Sequence, residues 1–175
     1  FVACVATPGN VSRPNLFYRN NDDGTFTSVT SLPANDPENQ GGASNGANWG
    51  DYDNDGWLDL FVANRGAQNN FLYHNRHDGT FTEIADQAGV PGTGRSFATW
   101  FFDYDNDGWK DLFITNGYYR DYTNRDFLKY KGDYYFQKSK AKEKADTFHL
   151  VSTMTSTPVH DYMYRNNGDL TFTDE

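Results

Sequence analysis

Asp51-Tyr52-Asp53-Asn54-Asp55-Gly56-Trp57-Leu58-Asp59 returns 52 residues later as Asp103-Tyr104-Asp105-Asn106-Asp107-Gly108-Trp109-Lys110-Asp111. Each copy sets carboxylates at loop positions 1, 3, 5 and 9. Like charges held this close repel unless a cation lies among them. Glycine at position 6 suits a chain that turns sharply around such an ion. The predicted donors are the side chains of Asp51, Asp53, Asp55 and Asp59 with the backbone carbonyl of Trp57. In the second copy they are Asp103, Asp105, Asp107 and Asp111 with the carbonyl of Trp109. All are hard oxygens on a flexible loop, which favours Ca2+ over the strictly octahedral, water-retaining Mg2+. Neither loop contains Cys or His, which disfavours zinc and copper. Two Ca2+ sites are therefore expected. Asp, Asn and Gly also build ordinary solvated turns, but two copies with the same carboxylate spacing argue for a shared purpose.

An EF-hand needs Glu at position 12 and helices on both sides. Position 12 holds Val62 and Ile114, and the flanks are Ala47-Asn48-Trp49-Gly50 and Leu60-Phe61-Val62-Ala63. The second loop lies between Thr99-Trp100-Phe101-Phe102 and Leu112-Phe113-Ile114-Thr115. Such aromatic and β-branched runs predict strands, so each loop joins a hairpin.

A second motif recurs three times. Asn15-Leu16-Phe17-Tyr18-Arg19-Asn20 leads to Asp23-Gly24-Thr25-Phe26-Thr27, and Asn70-Phe71-Leu72-Tyr73-His74-Asn75 leads to Asp78-Gly79-Thr80-Phe81-Thr82. The third copy, Asp161-Tyr162-Met163-Tyr164-Arg165-Asn166, leads to Thr171-Phe172-Thr173. Each predicts a hairpin whose Asp-Gly supplies a positive-φ position. Leu170 replaces that glycine in the third copy, with a glycine displaced to Gly168, which predicts a different turn. One unit reads strand, metal loop, strand, connection, strand, turn, strand, without a helix. Four strands in about fifty residues is the size of a propeller blade.

These motifs together resemble the FG-GAP/VCBS repeat, the blade of integrin α-subunit heads and of many bacterial surface proteins. They more closely resemble the bacterial repeat proteins of the cartilage-acidic-protein type, which often carry an ASPIC/UnbV module. The resemblance implies a calcium-binding β-propeller whose ligands fall on the ten residues named above. The expected fold is all-β: propeller blades of four antiparallel strands with a short helical insertion. Residues 1–31 are expected to supply the last three strands of one blade, and 42–86 a complete blade with loop 51–59. Residues 94–175 should hold a third blade with loop 103–111, the insertion at about 117–159 and a truncated last strand. On this alignment the chain begins and ends inside blades, and the remaining blades of its parent chain are the expected partners for its open edges.

The insertion is read as two short helices, capped at Thr123 or Asn124 and broken near Lys138 to Lys140, with Gly132 weakening the first. Thr157-Pro158 should return the chain to an extended path. The protein carries 15 basic and 24 acidic residues, net −9. Residues 117–159 hold 8 Lys or Arg against 5 Asp or Glu, net +3, leaving 7 against 19, net −12, elsewhere. Such an acidic chain repels phosphate, so nucleic acid is not an expected partner. The insertion is the best place for individual recognition of a glycan or protein ligand.

Cys4 is the single cysteine, so no internal disulfide forms. His74 stands where Arg19 and Arg165 stand, which reads as an ordinary polar strand position. No nucleophile elbow, Cys–His pair or phosphate loop is present, nor any apolar span long enough for a membrane. The expected function is a non-catalytic, calcium-stabilised propeller segment of a secreted or cell-surface protein, in binding or adhesion. The alternative is part of a carbohydrate-active lyase or hydrolase whose active site lies in the insertion or outside this chain. An extracellular, cell-surface or periplasmic location suits calcium as the cross-link.

Overall fold

The computed structural model describes residues 2–3, 16–28, 44–64, 68–92, 96–117, 125–154 and 160–175. Expectations placed on Cys4, on Thr123 or Asn124 as a cap and on Thr157-Pro158 fall outside them. Strands β1 (Val2–Ala3), β2 (Leu16–Asn20) and β3 (Phe26–Ser28) form a three-stranded antiparallel sheet. Strands β4 (Ser44–Gly50), β5 (Asp59–Asn64), β6 (Phe71–Asn75) and β7 (Phe81–Glu83) form a four-stranded meander. A one-turn helix, α1 (Ala85–Ala88), follows it; the repeat unit is not wholly free of helix. Strands β8 (Ser96–Phe102), β9 (Asp111–Asn116), β10 (Tyr162–Asn166) and β11 (Phe172–Asp174) form a second four-stranded meander. The architecture is all-β and propeller-like.

The period-2 alternation of the strands sets the packing. Strand β5 is buried along its whole length because both its faces are covered. Phe61 and Ala63 join Leu72 against Leu112, Ile114, Tyr164 and Phe172 of the next sheet. Leu60 and Val62 point the other way, with Phe71 and Tyr73. Leu112 and Ile114 occupy the positions of Leu60 and Val62 in the repeat. One sheet's front thus packs on the next sheet's back, the head-to-tail stacking of propeller blades. Full burial of each such aliphatic or aromatic side chain is worth about 1.5–3 kcal/mol.

The first strands of the two four-stranded sheets approach closely. A Cβ at Gly46 would lie 2.2 Å from the Phe97 carbonyl oxygen, and one at Gly50 would lie 2.5 Å from the Phe101 ring. Only glycine permits that approach. Asn45 Nδ2 donates to the Ser96 carbonyl at 2.8 Å and Asn48 Nδ2 to the Thr99 carbonyl at 3.1 Å.

The three hairpin turns are of one kind, against the expectation for the third. Each has two positive-φ positions: Asp22 and Gly24, His77 and Gly79, Gly168 and Leu170. In each, the Asp carboxylate accepts the amide of the Thr two residues on, at 2.9, 2.9 and 3.1 Å. The aspartate and threonine impose the geometry, and Leu170 is forced to φ 71°.

Residues Tyr118–Val159 make a separate compact unit. Helix α2 (Arg125–Ala141) runs unbroken through Gly132 and Lys138, so the expected break is misplaced. It ends at Lys142, which takes φ 56°. Glu143 N donates to Lys138 O at 2.9 Å and Lys142 N to Ser139 O at 3.1 Å. That is a Schellman stop made without glycine, which is why the sequence did not announce it. Helix α3 (Thr147–Ser152) is capped by the Asp146 side chain, which accepts the His149 amide.

Candidate metal centre

The two acidic loops close the β4–β5 and β8–β9 hairpins, with Gly50 paired to Asp59 and Phe102 to Asp111. Their backbones follow the same path. Asn54 and Asn106 sit at φ 58° and 60°, Gly56 and Gly108 at 89° and 92°. Asp51 carries the turn: its two oxygens accept the amides of Asp55 and Gly56, both at 3.1 Å. Asp103 accepts those of Asp107 and Gly108 at 3.1 and 3.0 Å. Asp55 and Asp107 then accept the amides of Trp57 and Trp109 at 2.7 and 2.8 Å. The chain therefore fixes these carboxylates through its own amides.

Position 9 is the buried anchor. Asp59 is fully buried; its oxygens accept Tyr52 N at 3.3 Å and Asn75 N at 2.9 Å. Asp111 is equally buried and accepts Tyr104 N at 3.0 Å and Asn166 N at 2.8 Å. Burial pushes the Asp59 carboxyl up to about 6, with the charge of Asp53 adding to the push against the amides of Asn75 and Tyr52. Burial, then the charge of Asp55, also raises Asp53. Burial is the larger cause of both shifts, and the neighbouring carboxylates add a smaller repulsion that a cation would relieve.

Ligand atoms of Asp51, Asp53 and Asp55 lie within 4.8 Å of one another, as do those of Asp103, Asp105 and Asp111. Asp53 and Asp59 form a third such group, and its third member is His74. Asp107 joins none of these groups; its carboxylate faces the Trp109 amide.

His74 corrects the sequence reading. Its Nδ1 lies 3.3 Å from Asp53 and 3.3 Å from Asp59. Antiparallel register explains this: Leu60 pairs with Tyr73, so the next step sets residue 74 beside residue 59. The register was the signal that could have found it. His77, from the β6–β7 turn, bonds Asp55 through Nε2 and stacks on Trp57 with ring centroids 5.3 Å apart. The loop lacks histidine in its sequence but meets two in space. In the other sheet Arg165 holds the place of His74 and pairs with Glu175 at 3.2 Å. Gly168 holds that of His77 and leaves room for the Trp109 ring, which a Cβ there would touch at 3.0 Å.

The loops are also tied to each other. Asn54 Nδ2 donates to the Gly108 carbonyl at 2.9 Å. Asn166 Nδ2 donates both to the Tyr52 carbonyl at 2.8 Å and to the Lys110 carbonyl at 3.0 Å.

The FG-GAP-like repeat family matches residues 2–62 and again 51–114, the two matches overlapping on the first loop. The chain belongs to the FG-GAP repeat family. A search of curated proteins returns no match. The family match ends at residue 114, within β9, yet β10 and β11 complete the same four-stranded order beyond the inserted unit.

Proposed function

We propose that this FG-GAP segment binds one Ca2+ in each acidic loop, and that the ions stiffen the hairpins that carry its blades. The observation that carries the reading is the backbone path of the loop and its amide-to-carboxylate hydrogen bonds, repeated in two sheets. Oxygen donors on a preformed turn fit calcium: Asp51, Asp53, Asp55 and Asp59 would hold it in one loop, Asp103, Asp105, Asp107 and Asp111 in the other. The carbonyls of Trp57 and Trp109 would add to these sets. Calcium supplies charge neutralisation there and no chemical step. FG-GAP repeats are typically structural and occur generally in extracellular or surface proteins, and extracellular modules bind calcium at about 10⁻⁴ to 10⁻³ M. No helix among the described residues is long and apolar enough to cross a membrane. We read the protein as a non-catalytic binding or adhesion segment.

Its first partner is a further sheet of its own kind. The front of the second four-stranded sheet exposes Trp100 and Phe102, with Trp100 stacked on Phe113. The corresponding front of the first sheet, through Phe61 and Leu72, is covered. A glycan or protein ligand would be met by Tyr118–Val159, where Phe136 and Phe148 are exposed and which also carries Lys138, Lys140 and Lys144.

Calorimetric titration of the chelator-stripped chain with CaCl2 tests the reading. It should give two sites, and Asp53→Ala with Asp105→Ala should abolish both. Unchanged calcium binding in that double variant would refute the assignment.

A further inference from the structure

We propose that the two acidic loops are coupled, so that a calcium ion in one raises the affinity of the other, with Asn54 and Asn166 as the positioning residues that carry the effect. This rests on the reading of the loops as calcium sites and adds how the two sites act on each other.

Two hydrogen-bonded paths join the loops. In the first, Asn54 Nδ2 donates to the Gly108 carbonyl at 2.9 Å. The Gly108 amide is itself held by Asp103 at 3.0 Å, and the amide of Asp55, next to Asn54, by Asp51 at 3.1 Å. Each end of the bond therefore adjoins an amide that a calcium ligand accepts. The second path is buried. Asn166 N donates to Asp111 at 2.8 Å, while Asn166 Nδ2 donates to the Lys110 carbonyl at 3.0 Å and, across the loops, to the Tyr52 carbonyl at 2.8 Å. Lys110 precedes the ligand Asp111, and Tyr52 stands between the ligands Asp51 and Asp53. Asn166 is 1% exposed and its Oδ1 accepts the Gly168 amide at 2.9 Å. Its side chain is thus held in one orientation, and a shift of either loop disturbs its bonds to the other. An ion that orders one loop fixes these shared bonds. The second ion then meets a loop already part-ordered, which is positive coupling without any change of fold. Such coupling acts equally in both directions.

The experiment is calorimetric titration of the whole chelator-stripped chain with CaCl2. Wild type, Asp53→Ala and Asp105→Ala are compared, then the same set carrying Asn54→Gly, and again carrying Asn166→Ala. Asp105→Ala reports the first loop alone and Asp53→Ala the second. The product of the two wild-type association constants, divided by the product of the two single-site constants, is the coupling factor. A loop that has lost one of its four carboxylates lies midway in charge between an empty loop and a loaded one, so Coulomb effects largely cancel in this ratio. The factor should be about fivefold or more, the low end of allosteric couplings. It should fall at least about threefold with Asn54→Gly or with Asn166→Ala, as the loss of one hydrogen bond implies. Asn54 is exposed at φ 58°, where glycine is at ease, so Asn54→Gly keeps both sites. A factor no greater than one while two ions bind overturns the proposal and leaves the calcium reading intact. So does a factor that neither asparagine variant lowers. Failure of wild type to take up calcium removes both.

Discussion

The loops at 51–59 and 103–111 have almost the same sequence and the same backbone, but they live in different surroundings. Tyr52 is fully buried, against Phe101 and Phe172 of the neighbouring sheet, whereas Tyr104 is 37% exposed and its hydroxyl reaches only Glu175 at 2.8 Å. The first loop borrows two imidazoles from the β6–β7 hairpin of its own sheet; the second meets a glycine and an arginine committed elsewhere. In a repeat, local residues decide how each loop folds, and the neighbouring sheet decides what the loop is worth. The sharpest way to break this comparison is to delete both tyrosines in turn. Tyr52→Ala should cost about 3–5 kcal/mol in urea unfolding, as for other buried aromatics, and Tyr104→Ala less than about 1 kcal/mol. Equal losses would mean that the stacking of the two sheets contributes little.

A second test separates the asparagines that follow the loops. Asn166 is buried and serves three groups: it donates to the Tyr52 and Lys110 carbonyls, and its oxygen accepts the Gly168 amide. Asn75 donates to the Leu58 carbonyl and accepts the His77 amide, at a more exposed site. Orphaned buried polar groups cost about 1–3 kcal/mol each. Asn166→Ala should therefore lose about 2–3 kcal/mol and Asn75→Ala about 1. If Asn75→Ala were the worse variant, the bridge from Asn166 to Tyr52 would carry no weight.

Much of this difference was hidden from the sequence for a physical reason. Period-2 patterning, the Asp-x-Asp-x-Asp-Gly spacing and the recurring Tyr-to-Phe hairpins are local signals, and they announced strands, loops and blade order. The stop of α2 at Lys142 lacks its usual glycine, and α1 is a single turn, so neither left a signal. His74 looked ordinary because its importance lies across the sheet, at Asp59, fifteen residues earlier. Contacts between strands depend on register, and register was legible only after the hairpins were aligned. Likewise nothing in Tyr52 and Tyr104 as letters distinguishes a covered ring from an open one.

Calcium gives a third comparison. At ten times its dissociation constant, each site should add about 1.4 kcal/mol, so chelation should lower the melting temperature and Ca2+ should restore it better than Mg2+. In an Asp105→Ala background only the first loop remains to respond. Its Asp59 has a folded pKa raised from 3.8 to about 6. The metal-free fold therefore binds that proton more tightly than the unfolded chain, and gains stability from it as pH falls from about 6 toward 3.8. Calcium needs the anion, so its stabilising increment should shrink over the same window. Melting curves at pH 7.5 and 5.0, with and without CaCl2, read this directly. An increment that grows on acidification would contradict the buried carboxylate as a ligand.

The smallest expected effect lies in the hairpin turns, where the third copy departs from the others by one side chain. Gly24 and Gly79 occupy φ 84° and 85°, and a Cβ at either would meet nothing within 4 Å, so neither is there for lack of space. They are there because the left-handed region costs an L-residue about 1–2 kcal/mol. Leu170 bears that cost at φ 71° while leaving 49% of its surface exposed, so it recovers little by burial. Leu170→Gly should therefore stabilise the chain by up to about 1 kcal/mol, the remainder being offset by the greater freedom of glycine in the unfolded chain. Gly79→Leu should lose a similar amount, making the two turns exchange properties. A destabilised Leu170→Gly would show that the leucine makes contacts worth more than its strain, and that the third turn is held by its side chain rather than by Asp169 and Thr171.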